Sequence, residues 1–214
     1  MNRRRRSELR NAKEIFGGAS PHIKRSIPFF DILDEDKLEI IEGQVDWLIE
    51  NIGIAFRDDP AALSIWERAG VKPCGEYQDL IRADANWVRQ LCSNAPSEFT
   101  QHARNPKRSV TIGGANQVFA PIYGAPFVRD MKDGRRYAKL NDFQSLVKLT
   151  FMHPNLHHGS FVIAEPTDIP VSHRHLDMLL AHITLSDKPH LGAITEKCRA
   201  QDTIDMMEIV FGSD

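Results

Sequence analysis

The sequence QVFAPIYGAPFVRD, residues 117–130, separates two parts of the chain that differ in character. Capped helices and short alternating strands precede it, whereas apolar runs alternate with amphipathic helical segments after it, as is typical of parallel β/α proteins. The apolar run at residues 118–120 predicts the first strand of a barrel, and Pro121 ends its pairing because proline has no N–H to donate. The following loop then lies at the carboxyl end of a strand, where parallel β/α folds hold their active sites.

Two further parallel strands are predicted downstream, at residues 160–164 and 190–194, with helices between them. A closed eight-stranded barrel takes about 250 residues, and fewer than half that number follow Gln117. We therefore predict an α/β fold in which residues 117–214 form the first part of a truncated TIM barrel. This part contains the first three β/α units. The alternative is a small open sheet, which would leave strand edges unprotected.

The region before this stretch is predicted to be helical with antiparallel hairpins. A third helix is expected near residues 83–93, and alternation at residues 99–103 and 110–112 predicts a β-hairpin. The pair Asp133-Gly134 predicts the tight turn of a second hairpin. Helix N-caps are predicted at Asp34, Asp59, Asn141 and either Thr167 or Asp168.

Composition is that of an ordinary soluble protein, with 42% hydrophobic residues, 26% charged residues and a formal net charge of −2. Five arginines and one glutamate give the first ten residues a charge of +4, so residues 1–30 are predicted to be a basic flexible tail and residues 31–116 a helical region with a β-hairpin. No wider basic stripe supports a nucleic-acid partner. No apolar run approaches the roughly 20 residues that cross a bilayer, and no secretory signal is recognisable, so neither membrane contact nor export is expected and a cytoplasmic location is predicted.

Histidine and cysteine do not predict a metal site. Seven of the nine histidines lie between His153 and His190, but zinc spacings such as H-E-x-x-H are missing from the sequence. The three cysteines are scattered and predict free thiols.

Several segments occur in an order that is far more specific than a short motif. They are GQVDWLIENIGIAF, ALSIWERAGVK, APSEFTQHARNPKRSVTIGG, FAPIYGAPFVRD, DFQSLVKL, EPTDIPVSHRHLDMLLAHITLSDKPHLGAIT and MMEIVFG. Over about residues 40–212 the chain thereby resembles the trimethylamine methyltransferase family. The resemblance implies a TIM-barrel enzyme that moves a methyl group from trimethylamine, or from a quaternary amine such as a betaine, to the cobalt of a corrinoid.

The same resemblance implies that a separate corrinoid protein carries this cofactor, so none is expected to bind the chain directly. Family members are longer, and the chain is expected to be the N-terminal half. The pyrrolysine that marks the trimethylamine branch would lie beyond Asp214, which leaves the branch and the catalytic residues open.

A trimethylammonium group has no N–H, so aromatic faces and a carboxylate are expected to recognise it. Tyr123 and Phe127 follow the first predicted strand, Glu165 the second and Thr195 the third. We predict these four as substrate-binding residues, the alternatives being packed loop aromatics and a structural ion pair for Glu165.

Two other functions remain open: a non-catalytic binding or assembly module, and another TIM-barrel enzyme acting on a small polar metabolite. A half-barrel exposes strand edges, so we expect the isolated chain to self-associate, for example as a homo-oligomer.

Overall fold

The computed structural model describes residues 22–192 and 194–212. Contacts divide the chain into two compact units, one formed by Ile27–Ser97 and the other by the residues on either side of it. These units do not coincide with the predicted segments 1–30, 31–116 and 117–214, and most of the predicted basic tail lies outside the described residues. None of the helices in the described ranges has the length and apolar character that a membrane crossing requires.

The fold is mixed α/β, with small antiparallel sheets. Its strands are β1 Ile23–Lys24, β2 Ile54–Ala55, β3 Leu80–Ile81, β4 Glu98–Gln101, β5 Val110–Gly113, β6 Asn116–Gln117, β7 Phe127–Asp130 and β8 Gly134–Tyr137. Its α-helices are α1 Glu35–Trp47, α2 Pro60–Arg68, α3 Ala85–Ser93, α4 Leu140–Met152, α5 Val171–Leu185 and α6 Lys197–Phe211.

The unit Ile27–Ser97 contains three helices whose first turns are capped by aspartate. Asp34 accepts a hydrogen bond from Lys37 N at 3.0 Å and Asp59 one from Ala62 N at 3.0 Å, which confirms both predicted caps. Strands β2 and β3 pair antiparallel beside them. The ring of Trp66 lies 6.0 Å from that of Trp87, so these tryptophans pack the helices together.

The other unit contains both predicted hairpins. Strands β4 and β5 pair from Glu98 opposite Gly113 to Gln101 opposite Val110, and β6 and β1 extend this sheet in the order β1-β6-β5-β4. Strands β7 and β8 form the second hairpin, in which Asp130 lies opposite Gly134. Every pairing is antiparallel.

In the described residues, none of the three predicted parallel strands is a regular strand, so a partial TIM barrel is not confirmed; residue 193 of the third one lies outside that range. Backbone hydrogen bonds do join the loop after the first predicted strand to the second segment in the parallel sense, from Gly124 N to Val162 O (2.7 Å) and from Glu165 N to Ala125 O (2.8 Å). Between these two bonds one segment advances by one residue and the other by three, whereas in a regular parallel ladder two successive bonds share one residue on one strand and are two residues apart on the other.

Similar bonds join the second segment to the third, from Gly159 N to Pro189 O (2.8 Å) and from Leu191 N to Ser160 O (3.0 Å). Ser160 has a positive φ of 56°, and Pro189 has no N–H to donate. Both features interrupt regular strand pairing.

Two predicted helix caps are wrong. Helix α4 begins at Leu140, so Asn141 lies within its first turn and does not precede it. Asp142 in the same turn accepts a hydrogen bond from Lys139 N at 2.9 Å. Arg136 on β8 donates two bonds to the Asp142 carboxylate, at 2.6 and 2.8 Å. Helix α5 begins at Val171, after the predicted caps Thr167 and Asp168, because Pro170 precedes it. The Asp168 carboxylate instead accepts from Leu140 N at 2.9 Å.

Replacing Asp142 with alanine is expected to lower the free energy of unfolding by about 1–2 kcal/mol, because the start of α4 and the Arg136 guanidinium both lose an acceptor. Asn141→Ala is the matched control, since Asn141 is exposed beside the same helix start. Urea denaturation would measure both variants. Equal stabilities would show that Asp142 does not hold this helix start.

The hydrophobic core lies between α4, α5 and the segment that joins them. Its buried members are Phe143, Val147, Phe161, Ile163, Met178, Leu179 and Ala181. Several polar side chains are buried beside it. The Lys188 ammonium donates to the carbonyls of Thr150 (2.7 Å), His153 (2.8 Å) and Leu156 (2.5 Å) at the end of α4. Burial, reinforced by the charge of Arg108, lowers the pKa of Lys188 to about 8, although Asp187 opposes the shift.

Two core histidines are also held by hydrogen bonds. His182 Nε2 donates to Phe161 O at 2.9 Å, and the ring stacks on Phe161. His158 Nδ1 accepts from Ser160 N at 2.8 Å, which leaves Nε2 to donate to Gln101 Oε1 at 3.0 Å. Burial lowers the pKa of each to about 4. Among the described residues, no three His, Cys, Asp or Glu side chains are arranged to hold a metal ion.

Candidate functional site

Three of the four predicted substrate-binding residues line one cavity. Tyr123, Glu165 and Thr195 surround a space of about 190 Å³, which we call the Tyr123 cavity. Helices α5 and α6 supply further wall residues, among them Arg174, His175, Met178 and Arg199. The structure thus brings together residues that are widely separated in the sequence, and their role in binding stays a prediction.

Phe127 is not among the residues that line this cavity. It lies on β7, where its ring is 4.6 Å from that of Tyr137 on β8 and the Arg135 guanidinium lies 3.7 Å above its centre. The hairpin begins at Phe127 and pairs its side chain with Tyr137. Phe127 therefore lies outside the Tyr123 cavity, and its role in substrate binding stays a prediction.

Backbone hydrogen bonds hold the Tyr123 loop against the segment that carries Glu165. Gly124 donates to Val162 O and Glu165 donates to Ala125 O. Gly124 has a φ of 85°, which glycine adopts without the strain that a side chain would cause. The loop therefore leaves Tyr123, which is 57% exposed, at the edge of the cavity.

Glu165 forms an ion pair with Arg174 in the cavity wall. The Arg174 side chain is only 14% exposed, whereas that of Glu165 is 44% exposed. Arg174 Nη2 also donates a hydrogen bond to Ile169 O at 3.0 Å, which holds the guanidinium against the chain that precedes α5. Glu165 is thus both a cavity residue and one member of an ion pair, so the two alternatives for it are not exclusive.

His175 connects α5 to α6. Its Nε2 lies 2.7 Å from Asp202 Oδ2 on α6, and its side chain is 6% exposed. Arg199, also on α6, donates to Val171 O on α5 at 3.3 Å. These contacts hold the two helices together along one wall of the cavity.

Sequence reasoning missed Arg174, His175 and Arg199. A signal for the first two existed in the helical period, since Arg174 is four residues and His175 three residues before buried Met178. Extending the buried face of α5 by one turn toward its start would have placed both near the predicted strand ends. No comparable signal marks Arg199, because α6 has no buried residue from which to extend a face.

The unit Ile27–Ser97 has a larger depression of about 630 Å³, lined by residues that include Phe56, Asp59 and Tyr77. Tyr77 is 78% exposed, and Asp59 is occupied as the cap of α2. This depression is a surface groove, whereas the Tyr123 cavity joins an aromatic face, a carboxylate and two guanidinium groups in a small space.

The fold is thus that of a mixed α/β protein in which a small cavity is lined by charged side chains. The chain belongs to the trimethylamine methyltransferase (MTTB) family, whose sequence profile matches residues 1–214. The resemblance seen in the sequence is therefore confirmed. Over 186 residues the chain is 40% identical to a glycine betaine methyltransferase of Desulfitobacterium hafniense (strain Y51). The match covers 87% of this chain and 38% of that protein, so the chain spans well under half of the relative's length.

Proposed function

We propose that the protein containing this chain transfers a methyl group from a methylated amine or a betaine to the cobalt of a corrinoid that a separate protein carries. Membership of the family over the whole chain supports methyl transfer. The convergence of Tyr123, Glu165 and Thr195 on one cavity is the observation that supports this site for the donor.

The cavity suits a small methylated cation. An aromatic face attracts a quaternary ammonium by about 0.5–2 kcal/mol, and Tyr123 supplies such a face. Glu165 adds a negative charge, although Arg174 already pairs with it. A volume of about 190 Å³ is below the ~300–1,000 Å³ of pockets for drug-sized ligands, so the donor is compact.

The chain's own residues bind and orient the donor in this proposal. Transfer from a quaternary ammonium, or from a tertiary amine in its protonated form, breaks one N–CH₃ bond. The electron pair of that bond stays on nitrogen, and the neutral amine leaves without gaining or losing a proton. No general base is therefore needed, and positioning together with exclusion of water carries the rate enhancement. When bound by its own protein, the corrinoid supplies the nucleophile that accepts the methyl group. The cavity is far too small for a corrinoid macrocycle, which agrees with an acceptor presented from outside.

We further infer that the three hydrogen-bonded segments are the first strands of a TIM barrel that a longer polypeptide completes. Their parallel sense, their chain order and the helices α4 and α5 between them support this inference. An incomplete barrel exposes unpaired backbone groups, so association of the isolated chain into oligomers is part of the proposal.

Tyr123→Ala is expected to lower kcat/KM for methyl transfer from glycine betaine or trimethylamine about 5- to 30-fold, because one cation–π contact is lost. The assay follows the absorbance of reduced cobalamin, free or on its carrier protein, with the protein that contains this chain. Tyr77→Ala is the control, since Tyr77 is exposed in the other unit. No transfer from either donor would refute the proposed function, and equal activity of the two variants would refute the site.

A further inference from the structure

The Tyr123 cavity has one positive charge that no carboxylate neutralises at hydrogen-bonding distance. Its wall carries the guanidinium groups of Arg174 and Arg199 and the carboxylate of Glu165. Arg174 pairs with Glu165, and the cavity residue His175 pairs separately with Asp202. The charge of Arg199 is therefore less compensated by nearby carboxylates than the charge of any other side chain in the cavity wall.

The contacts of Arg199 are weak. Its Nη2 donates to Val171 O at 3.3 Å and lies 3.8 Å from Glu196 Oε1, on a side chain that is 63% exposed. An exposed carboxylate at that distance compensates a charge poorly because water screens it. The Arg199 side chain itself is 16% exposed, so its charge is largely withdrawn from water within the cavity wall.

A ligand with only a positive charge would meet this guanidinium without compensation. A ligand that also carries a carboxylate would pair with it, and a guanidinium binds carboxylate through two parallel hydrogen bonds. On the basis of the proposed function, we propose that Arg199 is a specificity-determining residue. Its guanidinium binds the carboxylate of a zwitterionic methylated amine and selects that donor over an amine of similar size without the carboxylate.

The size of the cavity adds a limit on this donor. Tyr123 and Arg199 line the same space of about 190 Å³, so the ammonium and carboxylate groups must be joined by a short spacer. Glycine betaine and choline form a matched pair of probes. Both carry a trimethylammonium group, and a hydroxymethyl group in choline replaces the carboxylate.

The test measures binding of both probes by calorimetry to the wild type and to Arg199→Gln, Arg199→Lys and Arg129→Gln. Arg129 is an exposed arginine on β7 outside the cavity and serves as the control. We expect the wild type to bind glycine betaine at least about 10-fold more tightly than choline, and Arg199→Gln to weaken only glycine betaine, by about 10- to 100-fold. Arg199→Lys keeps the charge and should restore part of the preference, and unchanged choline binding shows that each variant is folded.

The outcomes separate this inference from the proposed function. If Arg199→Gln weakens both probes equally, or the wild type has no preference for glycine betaine, the inference is overturned while methyl transfer from amines can still be observed. If neither probe binds and no methylated amine is a donor, the proposed function fails and the role of Arg199 fails with it.

Discussion

Replacing Lys188 with methionine is expected to lower the free energy of unfolding by about 3 kcal/mol, because three carbonyl oxygens lose the donor that a buried ammonium supplies. Lys188 follows α5 in the sequence, and its ammonium binds carbonyl oxygens at and just after the end of α4. These acceptors belong to Thr150, His153 and Leu156. Methionine fills a similar volume but donates no hydrogen bond. The effect therefore measures the lost hydrogen bonds and not a cavity.

Urea denaturation followed by circular dichroism at pH 7 would measure this difference, with Lys148→Met as the control. Lys148 lies on α4 but is exposed, so its replacement should change stability by less than about 0.5 kcal/mol. If Lys188→Met were as stable as Lys148→Met, the buried ammonium would contribute nothing to the fold.

Lowering the pH from 6.5 to 4 is expected to destabilise the unit that contains α4 and α5. Each of two histidines should contribute about 3 kcal/mol, because a shift of one pKa unit corresponds to about 1.4 kcal/mol. His158 and His182 have an ordinary pKa of 6.5 when unfolded and about 4 when folded. Between these values the unfolded chain binds more protons than the folded chain, so stability falls as the pH falls. Burial is the main cause for both residues, and nearby His190 lowers both values further.

The free energy of unfolding should be measured at several pH values between 4 and 7 for the wild type, His182→Gln and His173→Gln. Removing the buried group at 182 should reduce the slope against pH, since one of the groups that bind more protons in the unfolded chain is gone. His173 is exposed on the same helix, and its variant should keep the wild-type slope. A wild type whose stability is constant over this range would contradict the prediction.

Features that depend on neighbours in the sequence were predictable. Asp34 and Asp59 cap helices through residues three positions later, and the Asp133-Gly134 turn joins adjacent strands. The start of α4 was not predictable in this way, because the contact between Arg136 and Asp142 joins a hairpin to a helix. Lys188 reaches a carbonyl 38 residues away, and its sequence neighbourhood gives no sign of burial.

The site was partly predictable for a topological reason. Residues that follow successive parallel segments meet at one edge whether or not the segments form regular ladders, and this placed Tyr123, Glu165 and Thr195 together. The irregular pairing depends on the positive φ of Ser160 and on prolines, which have no N–H to donate. A pattern of hydrophobic residues does not show how these residues change the register. Phe127 lies outside this cavity because it belongs to the hairpin that begins at the end of the same loop.

Helix α5 has consequences for protein engineering. Its first turns supply Arg174 and His175 to the cavity, and its later turns supply Leu179 and His182 to the core. A substitution that rotates or shifts this helix to improve packing also moves the charged groups of the Tyr123 cavity, where we propose that the donor binds. Selection for expression yield alone would therefore be expected to alter substrate preference, and libraries that diversify α5 should be screened for both properties together.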